Sequence, residues 1–565
     1  MSEQPPPQEM VSSDATWIER LVKPWMWRWA SYLFAVYIFA LIAVYMAIAG
    51  RSVSFSYTIS GQRAVASGGA IAWRVGVRDL SQGRFLPGAT VRVDHPTAGK
   101  LFAGRTSPAG FADVNMMLPK LPEGPSSLTI TVEARGESPA EVAMPIEVGR
   151  SRPPDLVEPW ARAAERLAEE RASMAKAPPL TTDSGAQLPR DGQGPVRIAV
   201  IADGQAPTDG LRSTLFVQTT DRATGKPVPA TVTITLVKGV IEGDVPRKVQ
   251  TNGGGLASFA LVPIGVQRWR FEVTPLEEGQ ETSVREVVLT SEKKQYAMRL
   301  TSPLWTDDDP LKVPVLTLHR SGALYSDFVM DERVVFGDVT GVGHSGGGFI
   351  FKPGSVPRPE QGVWLVKLQV YGHPLAPGKA VDIRHLALPA PGLEGRETLQ
   401  VVLERAWGAG VYPETASALL KSAWLRTAPA REIHEQLAFW LSLLPHEPTA
   451  PILLMDTRDR DQVTLATEKE SWRSPITLLL IVSGVVAALI ILYLVVFNLI
   501  RVRQRSQQML ADLHAELENE GDDGLDQILT PGGNLARTQA LVQLVFIFAT
   551  IALFFASIIL LLQNL

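Results

Sequence analysis

The segment with the most chemical promise is VTGVGHSGGGFIFKPG, residues 339–354. Within it, Gly343-His344-Ser345-Gly346-Gly347 fits G-x-S-x-G, the pattern of a nucleophile elbow. Such an elbow exposes its serine on a tight strand-to-helix turn and sets a helix N-terminus behind it. Here Gly348 leads into Phe349-Ile350-Phe351 and then Lys352-Pro353-Gly354, which reads as a strand and a turn. Asp382, His434 and His446 follow and could be nominated as triad partners, as some acid and histidine could in any long chain. Ser345 is thus the one candidate nucleophile, and the order of segments around it favours a flexible glycine hairpin. No other catalytic residue is expected.

Metal chemistry has thinner support. The 8 histidines are scattered, and none pairs at i, i+4 with an acidic helper as a zincin requires. His373 and His385 flank a turn and could approach one another. Asp307-Asp308-Asp309 and the set Asp456, Asp459, Asp461 offer oxygen ligands for calcium. The second set lacks the glycine and terminal glutamate of an EF-hand loop, so both read as solvated acidic turns. No metal site and no cofactor are expected. With 0 cysteines, disulfides, thiol catalysis, iron–sulfur clusters and cysteine-ligated zinc are excluded. The formal net charge of −4 gives no basic face for nucleic acid.

The elements that must hold these residues divide between lipid and water. Residues 29–50, 475–500 and 538–565 carry no charge. Each run exceeds the roughly 20 residues that cross a hydrocarbon core. Arg20, Lys23 and Arg28 precede the first run, Arg501, Arg503 and Arg505 follow the second, and Arg537 precedes the third. Basic flanks stay cytoplasmic. Residues 51–474 are therefore expected outside, and 501–537 inside. Ala47-Ile48-Ala49 also resembles a signal-peptide cleavage site, but Tyr32, Tyr37 and Tyr45 spread through a run longer than a usual h-region. Ser483 with Ala487, and Gly484 with Ala488, are small pairs that permit close helix approach in the second span.

Two stretches of the outer region repeat one pattern. AWRVGVRDLSQGRFLPGATVRV is followed by TSPAGFADV, and TLFVQTTDRATGKPVPATVTI by TNGGGLASF. Asp79, Gly83 and Pro87 have the mutual spacing of Asp221, Gly225 and Pro229; Thr106, Gly110 and Ala112 match Thr251, Gly255 and Ala257. Val75, Val77, Val91 and Val93 alternate with other residues, as do Leu215, Val217, Val232 and Ile234, the period of half-buried strands. The Asp-x-x-x-Gly segments read as turns in which glycine supplies positive φ. DRATGKPVPATVTITL with TNGGGLASFALVP resembles the immunoglobulin-like modules of the macroglobulin and carboxypeptidase-regulatory type. That resemblance covers residues 52–149 and 197–291 and implies β-sandwiches that space or contact proteins and glycans. The macroglobulin thioester needs a cysteine, so its covalent trapping is not carried over.

The expected fold class is mainly β: tandem Ig-like β-sandwich modules plus a small helical region, anchored by three transmembrane α-helices. The expected order is a cytoplasmic N-terminus (1–28), a span (29–50), module 1 (51–150), a helical spacer with a Pro-rich linker (151–196) and module 2 (197–295). A third β domain (296–392), a helical subdomain (393–450), a membrane-proximal segment (451–474), a span (475–500), an acidic cytoplasmic loop (501–537) and a last span (538–562) follow. The helix over 155–176 has a thin apolar stripe (Leu156, Trp160, Ala163, Leu167) and is read as lying on a module surface or projecting as a spacer. The functional expectation is a scaffold or assembly subunit of a cell-envelope complex in the inner membrane. Its partners would be the lipid bilayer and other membrane or envelope proteins, and it is not read as an enzyme. One alternative is a sensor acting through the loop acids Asp512, Glu516, Glu518, Glu520, Asp522, Asp523 and Asp526. The other is a membrane-anchored serine hydrolase using Ser345.

Overall fold

Alternating valines flanked by glycine turns build the first sandwich. In a computed structural model of the chain, residues 24–49, 55–80, 82–134, 139–150, 157–181, 187–277, 279–306, 308–318, 322–342, 347–373 and 381–517 are described. Helix α1 (Pro24–Ala49) is followed by β1 (Phe55–Gly61), β2 (Ala64–Ala66), β3 (Ala70–Asp79), β4 (Arg84–Phe85) and β5 (Thr90–His95). Then come β6 (Gly99–Arg105), β7 (Phe111–Met117), β8 (Gly124–Glu133) and β9 (Ala140–Gly149). One sheet joins β1, β3 and β4, with β7 also on β3; the other runs β2-β9-β8-β5-β6. Val75, Val77, Val91, Val93, Val114 and Ile130 meet between them.

A helix, α2 (Glu158–Lys176), and a short hairpin of β10 (Leu180–Thr181) and β11 (Gln187–Leu188) lead to the second sandwich. This comprises β12 (Val196–Ala202), β13 (Ser213–Asp221), β14 (Ala230–Glu242), β15 (Lys248–Gln250), β16 (Leu256–Pro275) and β17 (Ser283–Thr290). The 20-residue β16 serves both faces. Its first part pairs with β13, and its second pairs with β14 and β17.

The two sandwiches repeat down to single hydrogen bonds. Asp79 Oδ1 accepts from the Gln82 amide at 3.1 Å, and Asp221 Oδ1 from the Thr224 amide at 2.7 Å. Gly83 and Gly225 follow at φ 66° and 68°, the left-handed region that glycine enters without penalty. The Thr106 hydroxyl accepts from the Ala89 amide at 2.9 Å and donates to the Leu86 carbonyl at 2.7 Å. Thr251 does the same with the Ala230 amide at 2.8 Å and the Val228 carbonyl at 3.4 Å. Thr251→Val removes the acceptor for a buried amide while keeping the side-chain shape. It is expected to destabilise the chain by about 1–3 kcal/mol in urea titrations, with a similar loss for Thr106→Val.

The third β domain is built from β18 (Tyr296–Met298), β19 (Leu311–Thr317), β20 (Gly322–Met330), β21 (Arg333–Val342), β22 (Gly347–Phe351), β23 (Val363–Tyr371) and β24 (Asp382–Pro389). Its sheets run β18-β19-β22 and β21-β20-β23-β24. Helices α3 (Gly395–Gly408), α4 (Pro413–Lys421), α5 (Ala423–Thr427) and α6 (Ala430–Ser442) come next. Trp160, Ala163 and Leu167 of α2 enter the same core as Leu403, Leu419, Leu437 and Trp440. The stripe read as a spacer's surface contact is therefore a core element. A narrow stripe suffices because the Trp160 indole is wholly buried in a core that the strands also feed, through Phe216, Val363 and Ala387.

The chain then forms β25 (Ile452–Asp456), which pairs antiparallel with β1, Thr58 opposite Asp456. Helix α7 (Thr457–Leu517) follows without a loop and runs 61 residues through Pro475. Ser54–Thr457 is one compact unit, and the flanking segments form another.

The mainly β expectation holds, with several sheets and few helices. Of the membrane-spanning helices expected, the described residues contain one, over Asp461–Ile490, that is long and apolar enough to cross a membrane. In α1 the strongly apolar run is Phe39–Ile48. The run at 538–562 lies outside the described residues.

Candidate functional site

Strand alternation puts Arg74 on the face of β3 opposite Val75 and Val77, where a half-buried strand would meet water. Here that face is covered by the third domain, and Arg74 is 5% exposed. Its Nε donates to Asp113 Oδ1 of β7 at 2.7 Å, its Nη2 to Asp327 Oδ1 of β20 at 3.2 Å and its Nη1 to the Tyr371 hydroxyl of β23 at 2.6 Å. The Tyr325 ring lies 4.7 Å from the guanidinium carbon. Nearby, Asn115 and the Gly337 backbone exchange two hydrogen bonds, of 2.7 and 2.8 Å.

From Arg74 a hydrogen-bonded chain runs through the interior. Tyr371 donates to Asp327 Oδ2 at 2.5 Å, and Gln369 Nε2 donates to the same oxygen at 3.1 Å. Gln369 also exchanges bonds with the Thr449 backbone, donating at 2.7 Å and accepting at 3.0 Å. The Thr449 hydroxyl donates to Glu332 Oε2 at 2.5 Å and accepts from Lys367 Nζ at 2.6 Å. Module 1, the third domain and the segment returning toward α7 are thus stitched by one polar seam.

The charges are set by burial and by each other. Arg74 is held well above its ordinary value: burial works against its charge, and Asp113, Tyr371 and Asp327 outweigh it. Burial pushes the Asp113 carboxyl up against the pull of Arg74. Burial lowers Lys367 despite Glu332 beside it. Burial would raise Glu332, but the Thr449 hydroxyl and Lys367 hold it below its ordinary value.

Glu332 sits with Asp331 in a two-residue hairpin turn, Met330 opposite Arg333. Both turn residues have positive φ, 48° and 57°. Asn-Gly ordinarily fills such a turn, and each non-glycine residue there costs about 1–2 kcal/mol. The seam's bonds to Glu332 offset that strain. A cavity of about 50 Å³ beside the turn is lined by Arg162, Glu332, Lys367 and His385. It has room for water and no more.

A second polar cluster joins module 2 to the third domain. Arg384 donates through Nη1 to Asp382 Oδ1 at 2.7 Å and pairs through Nε with Asp203 Oδ2 at 3.2 Å. His385 and His446 meet edge to face at 5.0 Å. Burial drives His385 down to about 3, helped by Lys367, Arg384 and Arg166. His446 is likewise held well below its ordinary value, first by burial and then by His385 and Arg384.

Against this geometry the sequence candidates separate. Ser345, with Gly343, His344 and Gly346, lies outside the described residues; β22, which follows, is a strand. The nominated triad partners are apart in role. Asp382 accepts from Arg384 and from the Met298 amide, His446 packs on His385, and His434 borders a separate cavity with Gly395. His385 meets His446 rather than forming a pair with His373. No group of three or more His, Asp or Glu able to hold a metal occurs among the described residues, Asp308, Asp309, Asp456 and Asp461 included. Asp307 and the loop acids from Glu518 onward fall outside them, so the sensor reading has only Asp512 and Glu516 in described structure, both in α7. Sequence reasoning missed Arg74, Asp113, Asp327 and Tyr371. The available signal was an arginine and an aspartate at facing positions of adjacent strands.

No family model matches the chain. No curated protein matches it. Among solved structures it is similar to a fragment of intimin (13% identity, 42% of this chain and 100% of that one, TM-score 0.14). It is similar to a Salmonella alpha-2-macroglobulin (12% identity, 59% of this chain and 23% of that one, TM-score 0.15). It is also similar to invasin, a bacterial integrin-binding protein (15% identity, 60% of each chain, TM-score 0.14). The chain therefore spans under a quarter of the macroglobulin. Superpositions at these scores carry no argument. The resemblance of the duplicated modules to the Ig-like, macroglobulin type stands at the level of fold, on the strand pairing and the repeated turn.

Proposed function

We propose that the chain is a membrane-anchored, extracytoplasmic scaffold with three spans, binding protein or glycan partners of the cell envelope rather than turning over a substrate. The observation that carries this reading is the pairing of β1 with β25. It makes the first and last strands of the Ser54–Thr457 unit neighbours, so the chain enters and leaves that unit at one place. In sequence each strand adjoins an apolar helix. Trp29, Leu33, Val36 and Phe39 of α1 are all exposed, as are Leu478, Val482 and Leu489 of α7, a distribution suited to lipid. The seam around Arg74 supports a scaffold, since it holds domains in fixed relation without placing a reactive group at an open surface.

The absence of cysteine makes the test direct. Single cysteines at Lys100, Glu242 and Gln508, all exposed positions, are labelled with a membrane-impermeant maleimide on intact spheroplasts. Lys100→Cys and Glu242→Cys are expected to label, and Gln508→Cys only after permeabilisation. Labelling in the reverse pattern, or release of the whole chain by carbonate, overturns the reading.

A further inference from the structure

A cleft of about 580 Å³ opens where the end of α2, β12, β17 and the start of α4 converge. Arg171, Arg190, Arg197 and Arg285 line it, together with Tyr412. None of the four arginines forms an ion pair among the described residues. Of the two acids at its edge, Asp191 is engaged by Arg222 at 2.7 Å, leaving Glu414.

Arg285 shows most clearly what is missing. Its Nε donates to the Arg190 carbonyl at 3.2 Å, its Nη1 to the Ile198 carbonyl, and its Nη2 faces Met174 Sδ at 4.0 Å. All three partners are neutral. Arg74 and Arg384, which are buried where Arg285 is partly buried, each have two carboxylates. Their proton affinity is raised, whereas burial lowers that of Arg285. The carboxylate that acts on Arg285 is Asp191, which is already paired with Arg222; a partly buried guanidinium with no carboxylate of its own is costly, and a fold that retains one gains from an anion supplied later.

Tyr412 adds a second, independent mark. It is a non-glycine residue at φ 42°, ψ 56° at the N-cap of α4. Its ring lies 5.1 Å from the Arg171 guanidinium carbon. Left-handed backbone at a bulky residue clusters where a side chain is held for a purpose. Here it sets an aromatic face among the arginines. The volume suits a ligand of about disaccharide size.

We infer that this cleft binds a small ligand that carries phosphate or carboxylate groups on a sugar-sized body, gripped by the arginine forks against the Tyr412 ring. Guanidinium geometry matches both oxyanions. The site lies wholly within the Ser54–Thr457 unit, so the inference stands whether or not the membrane reading does.

The test uses the full chain in mild detergent at low salt, with calorimetric titration of pyrophosphate, digalacturonate and neutral cellobiose. Saturable binding of either anion is expected; pyrophosphate alone identifies a phosphate ligand, digalacturonate alone a carboxylate one. Arg285→Met is expected to weaken binding by about tenfold or more. Arg171→Gln, at an exposed position outside the core, is expected to weaken it several-fold with an unchanged melting temperature. The inference is overturned if neither anion binds, if cellobiose binds as well as the anions, or if both variants bind like the parent chain.

Discussion

Arg74→Met is expected to destabilise the protein by about 3–5 kcal/mol, the cost of leaving buried carboxylates without their cation. Methionine replaces most of the volume, so the loss reads charge rather than cavity. Asp113 and Asp327 would then face each other across the junction of module 1 and the third domain, both within 3.2 Å of the lost nitrogens. The loss should show as a lower urea midpoint and faster proteolysis between the two domains. Arg74→Met combined with Asp327→Asn should recover part of it, since one orphaned charge is removed and the neighbours are coupled. A single-variant change under about 1 kcal/mol, the range of exposed pairs, would show the seam to be incidental.

Acid should weaken the protein through His385. Its imidazole is held neutral down to about 3 by burial and by Lys367, Arg384 and Arg166. Unfolded, it protonates near its ordinary value of about 6.5. Between those values the unfolded chain holds a proton that the folded one refuses, so stability is present above about pH 6.5 and falls as pH drops. The slope from one such group is about 1.4 kcal/mol per pH unit, or about 2–3 kcal/mol from pH 6.5 to 4.5. His446 adds in the same direction. The buried carboxyls Asp113 and Asp203, raised first by burial, act in the opposite sense, gaining protons in the folded state first. The informative quantity is therefore a difference. Urea midpoints measured across this range should fall less steeply for His385→Asn than for the parent, and equal slopes would refute the assignment.

What was legible in the sequence was local. Asp221, Gly225 and Thr251 lie within 31 residues of one another, and their turn chemistry is written in residue types that suit few other conformations. Hence the duplication could be read and then traced bond by bond. Charge-free runs are legible for the same reason. The polar seam was not legible. Arg74 and Asp327 are 253 residues apart, and an arginine on the outer face of a strand looks the same whether water or another domain covers it. Trp160 misled similarly: one indole on a thin stripe reads as a surface contact until a neighbouring bundle supplies the rest of the core. The arginine cleft draws Arg171, Arg190, Arg197 and Arg285 from separate stretches of the chain, so no local run of residues announces it.

The pairing of β1 with β25 also governs when the protein can finish folding. The Tyr57 amide bonds the Thr457 hydroxyl across a separation of 400 residues, and every bond of that strand pair is similarly remote. At about 5–20 residues per second, the ribosome takes about 20–80 s to supply the second strand. Through that interval β1 presents a bare edge on which another nascent copy could add a strand. Folding would therefore favour a chaperone that shields this edge until β25 has been synthesised.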